Sequence, residues 1–568
     1  MTANRRRGAL LRVLATTDLH GAVLPWDYAS DAAAPARGLA VMTALARARS
    51  AGADAVLRVD CGDAFQGGAF DGARGVAVVD AMSAAGIEAM ALGNHDLDFG
   101  AAVLERLRRR ARFPILSANV ALPGLRPWCI LRRDAGGPLR IGLVGLTAPR
   151  LAAGGPEAGP GGGVLVEAVA RAVAEVRLAS ADVVIVLSHS GPGTCPPSPG
   201  TADVSAAVAA LEGVDAVVGG HVHTASAASE DGTPLIVPGA YGTALGEIDL
   251  WIADGRVVST EGRLHRPGPE LRPDPAVAGV MERPHRMTRR RLARSVGRTA
   301  TGLDARLSFA RPTTAFAAIA AARADAVRAT LADGPHAGLP VIGMATARPP
   351  SAPSPFVPPG PLMRRELEAL CPYHDAQRGV LVTGALLRDW LERGASIYAR
   401  IELGQDDVPL LDPRVPAWFL DLPHGGISWS VDLSAGALYG PDGTPQDGPG
   451  RVRHLRLHGR PVEEAEPLVV ATSDFRLLGH GPFAGFFDGM ETVAADPRAM
   501  RRLLPLWLKR GGHAPAAAFS FVPIRGAGAL VPAPDGPVPG FGAAGPGRAR
   551  LSLDLQRAAP SPISAARG

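Results

Sequence analysis

Five short polar motifs stand in order in the first half of the chain: Asp18-Leu19-His20, Gly62-Asp63, Gly93-Asn94-His95-Asp96, His189, and Gly220-His221-Val222-His223. Each follows an apolar run. Taken singly, each has an ordinary reading: Asp18 and His20 as helix caps, Gly93-Asn94 as a turn, His189 as a satisfied core histidine. Taken together, they offer carboxylate, imidazole and amide oxygen at one strand end after another. That donor set suits two borderline-hard divalent cations of the Zn, Mn, Fe or Co type, with no soft thiolate required. Two such ions about 3.5–4 Å apart lower the pKa of bound water to about 7 and neutralise phosphoryl oxygens. The chemistry to expect is phosphate-ester hydrolysis, with one carboxylate bridging the ions. His95 directly follows the candidate ligand Asn94, so it can lean over a substrate while its neighbour holds metal. Asp98, three residues further, can fix its tautomer, with Asp96 as the competing partner; the other reading of Asp96 and Asp98 is a helix N-cap pair. A histidine oriented by a carboxylate suits protonation of a leaving oxygen.

The elements that must position these residues are legible between Leu11 and Leu264. Strand-like LRVLATT and AVLRVDCGD alternate with helical GLAVMTALARARSAG and VAVVDAMSAAG, and IGLVGLT, ADVVIVLSHS, VDAVVGGH, TPLIVPGA and GEIDLWI read as buried strands. This rhythm predicts α/β layers, whose sites lie where strands end. The Gly/Pro-rich stretches 151–163 and 192–200 read as surface loops. A proline-flanked, basic segment at 266–301 with one helix reads as an interdomain linker. Beyond it, a helical stretch near 313–331 is followed by strand-like and turn-rich sequence, and the last dozen residues read as a frayed end.

Bulk properties narrow the class. At 568 residues the chain exceeds the roughly 250–300 residues at which single cores stop growing, so two domains are expected. A hydrophobic content of 47% and a charged content of 20% are those of a globular chain, and the 69 Gly and 52 Pro concentrate in loops. The net charge of +5 lies partly in the runs Arg5–Arg7, Arg108–Arg110 and Arg289–Arg291. No aromatic residues interleave with them, which argues against a nucleic-acid polymer as partner. Cys61, Cys129, Cys195 and Cys371 are scattered without CxxC spacing, so no disulfide framework is expected. The apolar run from Ala9 to Ala15 is broken by Arg12 and leads straight into the first motif, leaving no room for a signal peptide. No run of about 18 uncharged apolar residues occurs elsewhere. The expectation is a cytoplasmic chain with no membrane anchor.

In order, DxH, GD, GNH[DE], H and GHxH resemble the calcineurin-like metallophosphoesterases over Leu11 to Leu264. The resemblance implies a four-layer αββα sandwich holding metal one on Asp18, His20 and His223 and metal two on Asn94, His189 and His221, with Asp63 bridging and His95 paired with Asp98. Nearly the whole chain is similar to the 5′-nucleotidase superfamily, and within it to the 2′,3′-cyclic-nucleotide 2′-phosphodiesterase/3′-nucleotidases, whose members usually act in the periplasm. The stretches that carry this are TTDLHGAVLPWDY with Trp26 to Tyr28, TPLIVPGAYGTALGEIDL, LEALCPYHDAQRGVLVTGALLRDWLE, GGISWSVDLS, GRVRHLRLHGRPV and VVATSDFRLLGHGPFAG. The implied organisation is a metallophosphoesterase domain over 1–265, a linker helix over 266–301 and a second α/β domain, of 5′-nucleotidase C-terminal type, over 302–568.

That resemblance also implies a nucleotide substrate whose base lies between two rings of the second domain, at Tyr373 and Phe483; Phe475 is the alternative, with core packing as its ordinary role. Asp375 stands where the subfamily tends to carry Asn. The usual glycine-rich anion loop is replaced by ATARPPSAPSPFVPPGPL, where Arg348 is the candidate cation. The implied reaction opens a 2′,3′-cyclic nucleotide to the 3′-monophosphate and then removes that phosphate. The alternatives are a 5′-nucleotidase or nucleotide-sugar hydrolase, and a nucleotide-binding protein with weakened turnover.

Overall fold

A computed structural model describes residues 8–66, 69–70, 75–148, 162–197, 203–230, 232–348, 354–415, 417–479, 481–515, 518–532, 541–543 and 548–554. Arg5–Arg7, most of the 151–163 stretch, the end of the 192–200 stretch and the last dozen residues lie outside them. The chain divides into two units, Met1–Leu292 and Ala293–Gly568.

The first unit is built on two six-stranded sheets. One has β1 (Ala9–Thr16), β2 (Ala55–Asp60), β3 (Ala89–Ala91) and β4 (Ile115–Leu116) in parallel succession. The other contains β5 (Trp128–Asp134), β6 (Pro138–Thr147), β7 (Val183–His189), β8 (Ala216–Gly219), β9 (Ser226–Glu230) and β10 (Thr233–Val237) in the order β9-β10-β8-β7-β6-β5, its inner four parallel. β11 (Leu245–Ala253) and β12 (Arg256–His265) return antiparallel beside β1 and complete the first sheet as β12-β11-β1-β2-β3-β4.

Strand alternation explains the layering. In β7, Ile185 and Leu187 join Leu11, Val13, Leu57, Val59, Ile141 and Ile248 in a core between the sheets, while Val184 and Val186 face outward against helices. Both faces are therefore covered, and the parallel strands read as continuous apolar runs. The outer cover of the second sheet is α4 (Gly162–Leu178), whose Leu165, Val169, Ala172, Val173 and Val176 recur at helical spacing on one buried stripe, with the short α5 (Ser205–Ala209). α1 (Leu39–Arg49), α2 (Val76–Ala85), α3 (Ala101–Arg110) and α6 (Pro275–Leu292) pack outside the first sheet. The result is the αββα sandwich that the resemblance implies. The helix within 266–301 is α6, and its Val277 and Met281 are buried in the first unit's core. Tyr28 is anchored there, its hydroxyl 2.8 Å from Nδ1 of His285, and Arg289 lies over the ring of Trp26.

In the second unit, β13 (Val341–Thr346), β14 (Gln377–Thr383), β15 (Asp421–His424), β16 (Pro467–Ser473) and β17 (Thr492–Asp496) form a mixed sheet in the order β15-β13-β16-β14-β17. The alanine-rich α7 (Thr314–Leu331) lies so close to it that a Cβ on Gly343 would sit 2.0 Å from the Ala320 carbonyl oxygen. α8 (Arg364–Leu370), α9 (Gly384–Ala395) and α10 (Met500–Lys509) surround this core, making the unit α/β. Among the described residues no helix is long and apolar enough to cross a membrane.

Candidate metal centre

All five sequence motifs lie at the carboxyl ends of strands. Asp18 and His20 follow β1, Asp63 follows β2, Asn94 and His95 follow β3, His189 closes β7, and His221 and His223 follow β8. The chain turns abruptly at these ends. Asp18, His20, Asp63, His221 and His223 adopt φ values of 50°, 44°, 55°, 72° and 57°. Left-handed backbone at a non-glycine residue costs on the order of 1–3 kcal/mol and persists only where the surroundings fix it. Here Asp18 N–H donates to the Gly62 carbonyl (2.8 Å), His20 N–H to that of Asp63 (2.9 Å), and Tyr241 N–H to that of Asp18 (2.9 Å). Close approach of the loops also requires glycine at position 93, where a Cβ would sit 2.1 Å from the Asp63 nitrogen.

Two clusters result: Asp18, His20 and His223, and Asp63, His189 and His221, each with ligand atoms within 4.8 Å of one another. In the first, His20 Nε2 is 2.9 Å from His223 Nε2, which is 3.4 Å from Asp18 Oδ1. In the second, His189 Nε2 is 3.2 Å from Asp63 Oδ2 and 3.1 Å from Asn94 Oδ1. Asp63 Oδ2 is also 3.9 Å from His20 Nε2, so this carboxylate stands between the clusters.

Tautomers decide what these distances mean. His20 Nδ1 donates to the Gln66 carbonyl and His189 Nδ1 to the Cys61 carbonyl, both at 2.7 Å. In the neutral rings both Nε2 atoms are then bare lone pairs, that of His189 aimed at the Asp63 carboxylate and the Asn94 amide oxygen and that of His20 at the His223 ring. Asp18 Oδ2 accepts from Thr17 Oγ1 (2.6 Å) and His221 N–H (3.0 Å), whereas its buried Oδ1 has no hydrogen-bond partner. Converging buried acceptors are costly unless positive charge lies among them. Burial, with His223 nearby, lowers the His20 pKa to about 4, keeping that ring neutral as a ligand must be. Burial also opposes charge on His189, but Asp63 and Asp18 overcome it and raise its pKa to about 10, so a proton fills the gap in the bare protein. The residues fit a pair of divalent cations: all donors are N or O, and the Cys61 thiol points away to the Val218 carbonyl (3.1 Å).

Beside the clusters, His95 Nδ1 is 2.9 Å from Asp98 Oδ2, and the His95 ring centroid is 5.8 Å from that of His20. Asp96 has another role. Its Oδ2 accepts from the N–H groups of Asp63 and Gly93 (each 2.9 Å) and its Oδ1 from those of Ala64 and Phe65 (each 3.0 Å), so one buried carboxylate ties the Asp63 loop to the Asn94 loop. Burial and the charge of Asp63 push the Asp96 pKa up to about 7 against those bonds. Asp60 lies beneath the same turn, accepting from Thr16 Oγ1 (2.6 Å) and Gly62 N–H (3.0 Å), and burial pushes its pKa up to about 8. Thr17, Asp60 and Tyr241 were not singled out by sequence reasoning. The signal available for the first two was a polar residue at the end of an apolar strand, next to a motif.

In the second unit Tyr373 is 47% exposed on the turn after α8. Phe483, expected as the second stacking ring, is fully buried. It packs against Phe487 at 5.6 Å between centroids and against Trp390, and Arg476 covers a face at 4.7 Å, so no side is open to a base. The exposed ring on that segment is Phe475, at 38%. Arg348 directs Nη2 to the Ala369 carbonyl (2.7 Å), and the Asp375 carbonyl accepts from Gln377 Nε2 (2.7 Å). Residues 349–353 of the replaced anion loop lie outside the described residues.

Comparison with known proteins agrees with this geometry. Residues 11–225 match the calcineurin-like phosphoesterase family and residues 295–488 the 5′-nucleotidase C-terminal domain. The chain is 24% identical to a trifunctional nucleotide phosphoesterase protein of Bacillus subtilis over 83% of its own length but only 36% of that longer protein. It is 26% identical to a 2′,3′-cyclic-nucleotide 2′-phosphodiesterase/3′-nucleotidase of Salmonella typhimurium, covering 89% of this chain and 88% of the relative. A putative 5′-nucleotidase from Staphylococcus aureus shares the fold, with a TM-score of 0.69 at 18% identity over 90% of this chain and all of that one. With both characteristic domains in sequence, the chain belongs to the 5′-nucleotidase superfamily of metal-dependent phosphoesterases.

Proposed function

We propose that the chain hydrolyses 2′,3′-cyclic nucleotides to 3′-monophosphates and then removes the remaining phosphate, using one site for both steps. The observation that carries this reading is the convergence of two N/O donor clusters on Asp63, with the His95–Asp98 pair beside them. Asp18, His20 and His223 would hold one divalent cation, Asn94, His189 and His221 the other, and Asp63 both. When bound, the pair supplies Lewis acidity to the phosphoryl oxygens and the attacking water.

The remaining work falls to side chains. Asp98 holds the Nδ1 proton of His95, leaving Nε2 to deliver a proton to the departing ribose oxygen: first the 2′-oxygen as the ring opens, then the 3′-oxygen. Carbonyls of Gln66 and Cys61 fix the His20 and His189 rings as ligands. In the second domain Tyr373 and Phe475 would stack on the base, with Arg348 and Asp375 as further candidate contacts. The 26% identical relative is named for this pair of activities, which favours it over 5′-nucleotide hydrolysis.

The test is purified protein loaded with Mn²⁺, Co²⁺ or Zn²⁺ and incubated with 2′,3′-cyclic AMP, 3′-AMP and 5′-AMP. Release of 3′-AMP, adenosine and phosphate from the first two supports the reading. Turnover of 5′-AMP alone points to a 5′-nucleotidase, and no turnover with two metals bound points to a binding protein.

A further inference from the structure

We propose that Arg37, stacked on Tyr241 beside the Asp18–His20–His223 cluster, binds a non-bridging oxygen of the substrate's phosphoryl group. Two chain segments cross here. Gly38 N–H, just before α1, is shared between the carbonyls of Tyr241 (3.1 Å) and Gly242 (3.0 Å), and a Cβ on Gly242 would sit 2.8 Å from the Gly38 carbonyl carbon. That crossing sets Arg37 and Tyr241 side by side. The Tyr241 backbone is bound in turn to Asp18, and its ring centroid lies 5.7 Å from that of His20 and 5.6 Å from that of His223. The guanidinium carbon of Arg37 lies 5.4 Å from the Tyr241 centroid.

Arg37 is set apart by lacking an anion while standing beside Tyr241 and the Asp18–His20–His223 cluster; Arg47 by contrast has Asp274, Arg110 has Asp80, and Arg289 has Asp31. Among the described residues Arg37 makes no ion pair or side-chain hydrogen bond, and its Nε is buried without a partner. An unpaired buried donor on a cation is destabilising unless a ligand takes it. A planar guanidinium matches phosphate oxygens in both charge and geometry. The ligand class is a phosphomonoester or phosphodiester, or the inorganic phosphate released from it. The ring of Tyr241 keeps the guanidinium from folding away.

This inference rests on the phosphoesterase reading, so the probes are ones that need no nucleoside. Metal-loaded wild type, Arg37→Ala, Arg37→Gln and Arg37→Lys are compared for KM on p-nitrophenyl phosphate and for binding of inorganic phosphate by calorimetry. Loss of a charge-assisted hydrogen bond should raise KM and the phosphate Kd by about tenfold or more in the Ala and Gln variants. The effect on KM should exceed that on kcat, metal content should stay at the wild-type level, and Lys should recover part of the loss. The Gln variant retains the stem that packs on Tyr241, so it serves if Ala does not fold. Phosphate affinity within twofold of wild type in both Ala and Gln variants overturns the inference. Wild type that binds phosphate but does not turn over p-nitrophenyl phosphate contradicts the phosphoesterase reading instead.

Discussion

His189 Nε2 faces Asp63 Oδ2 across 3.2 Å while its Nδ1 is committed to the Cys61 carbonyl. In the neutral ring two lone pairs would oppose each other, so positive charge belongs between them. In the bare protein that charge is a proton, held up to about pH 10. A divalent cation must displace it, so metal binding at neutral pH should release protons, and affinity should rise with pH. Titrating metal into weakly buffered protein with a pH indicator measures this. His189→Ala should release fewer protons per metal bound; equal release contradicts the assignment.

The His95–Asp98 pair should matter in proportion to the leaving group's need for a proton. His95→Ala is expected to lower kcat on 3′-AMP by about 10²–10⁴-fold, and Asp98→Asn by less. On p-nitrophenyl phosphate, whose leaving group departs as a stable anion, both losses should shrink to a few-fold. Equal losses on the two substrates would argue that these residues support the fold rather than protonate.

Rings on the second domain separate by exposure. Tyr373→Ala and Phe475→Ala should raise KM for nucleotides by removing stacking worth about 1–3 kcal/mol per base, and leave p-nitrophenyl phosphate unaffected. Phe483→Ala should instead destabilise the second domain by about 3–5 kcal/mol through the cavity it leaves. Thermal unfolding and KM read the two effects apart. A nucleotide-specific KM effect at Phe483 without lowered stability would reverse this division.

Asp60 gives a pH signature. The folded chain keeps this proton up to about pH 8, whereas an unfolded Asp releases it near pH 4. Between those values the folded state binds more protons, so its stability falls as pH rises; below the window there is no difference, and above it the loss is complete. In metal-free protein, urea unfolding followed from pH 4 to 8 should show a shallower decline for Asp60→Asn. An unchanged slope would contradict the assignment.

Much of this arrangement was legible before any coordinates. Strand ends are marked by apolar runs stopping at polar residues, so the order of Asp18, Asp63, Asn94, His189 and His221 along the chain already implied strand ends of one α/β layer, and the resemblance these motifs carry implied the sandwich. Asp98 was legible as the neighbour of His95 because three residues of tight turn bring the two together. Asp96 is harder to read: its four partners are backbone N–H groups, three of them in a loop about thirty residues earlier, and backbone groups leave no trace in residue identity. Phe483 was misread for a related reason. The segment GPFAGFF has neither helical nor strand period, so nothing local marks Phe483 as inward-facing, whereas Phe475 follows a strand-like run that reads as core and yet is exposed. The missing partner of Arg37 is visible only in the folded chain, where the Tyr241 ring lies beside its guanidinium and its buried Nε has no acceptor.

The central claim is that these seven side chains hold two cations sharing Asp63. Crystals of protein reconstituted with Mn²⁺ or Zn²⁺ and measured at the metal's absorption edge test it directly. The account predicts two anomalous peaks about 3.5–4 Å apart, one among Asp18, His20 and His223, the other among Asn94, His189 and His221, both touching Asp63 and both lost in Asp63→Ala. A loaded crystal with no peak at these residues, or with one ion that does not contact Asp63, would contradict it.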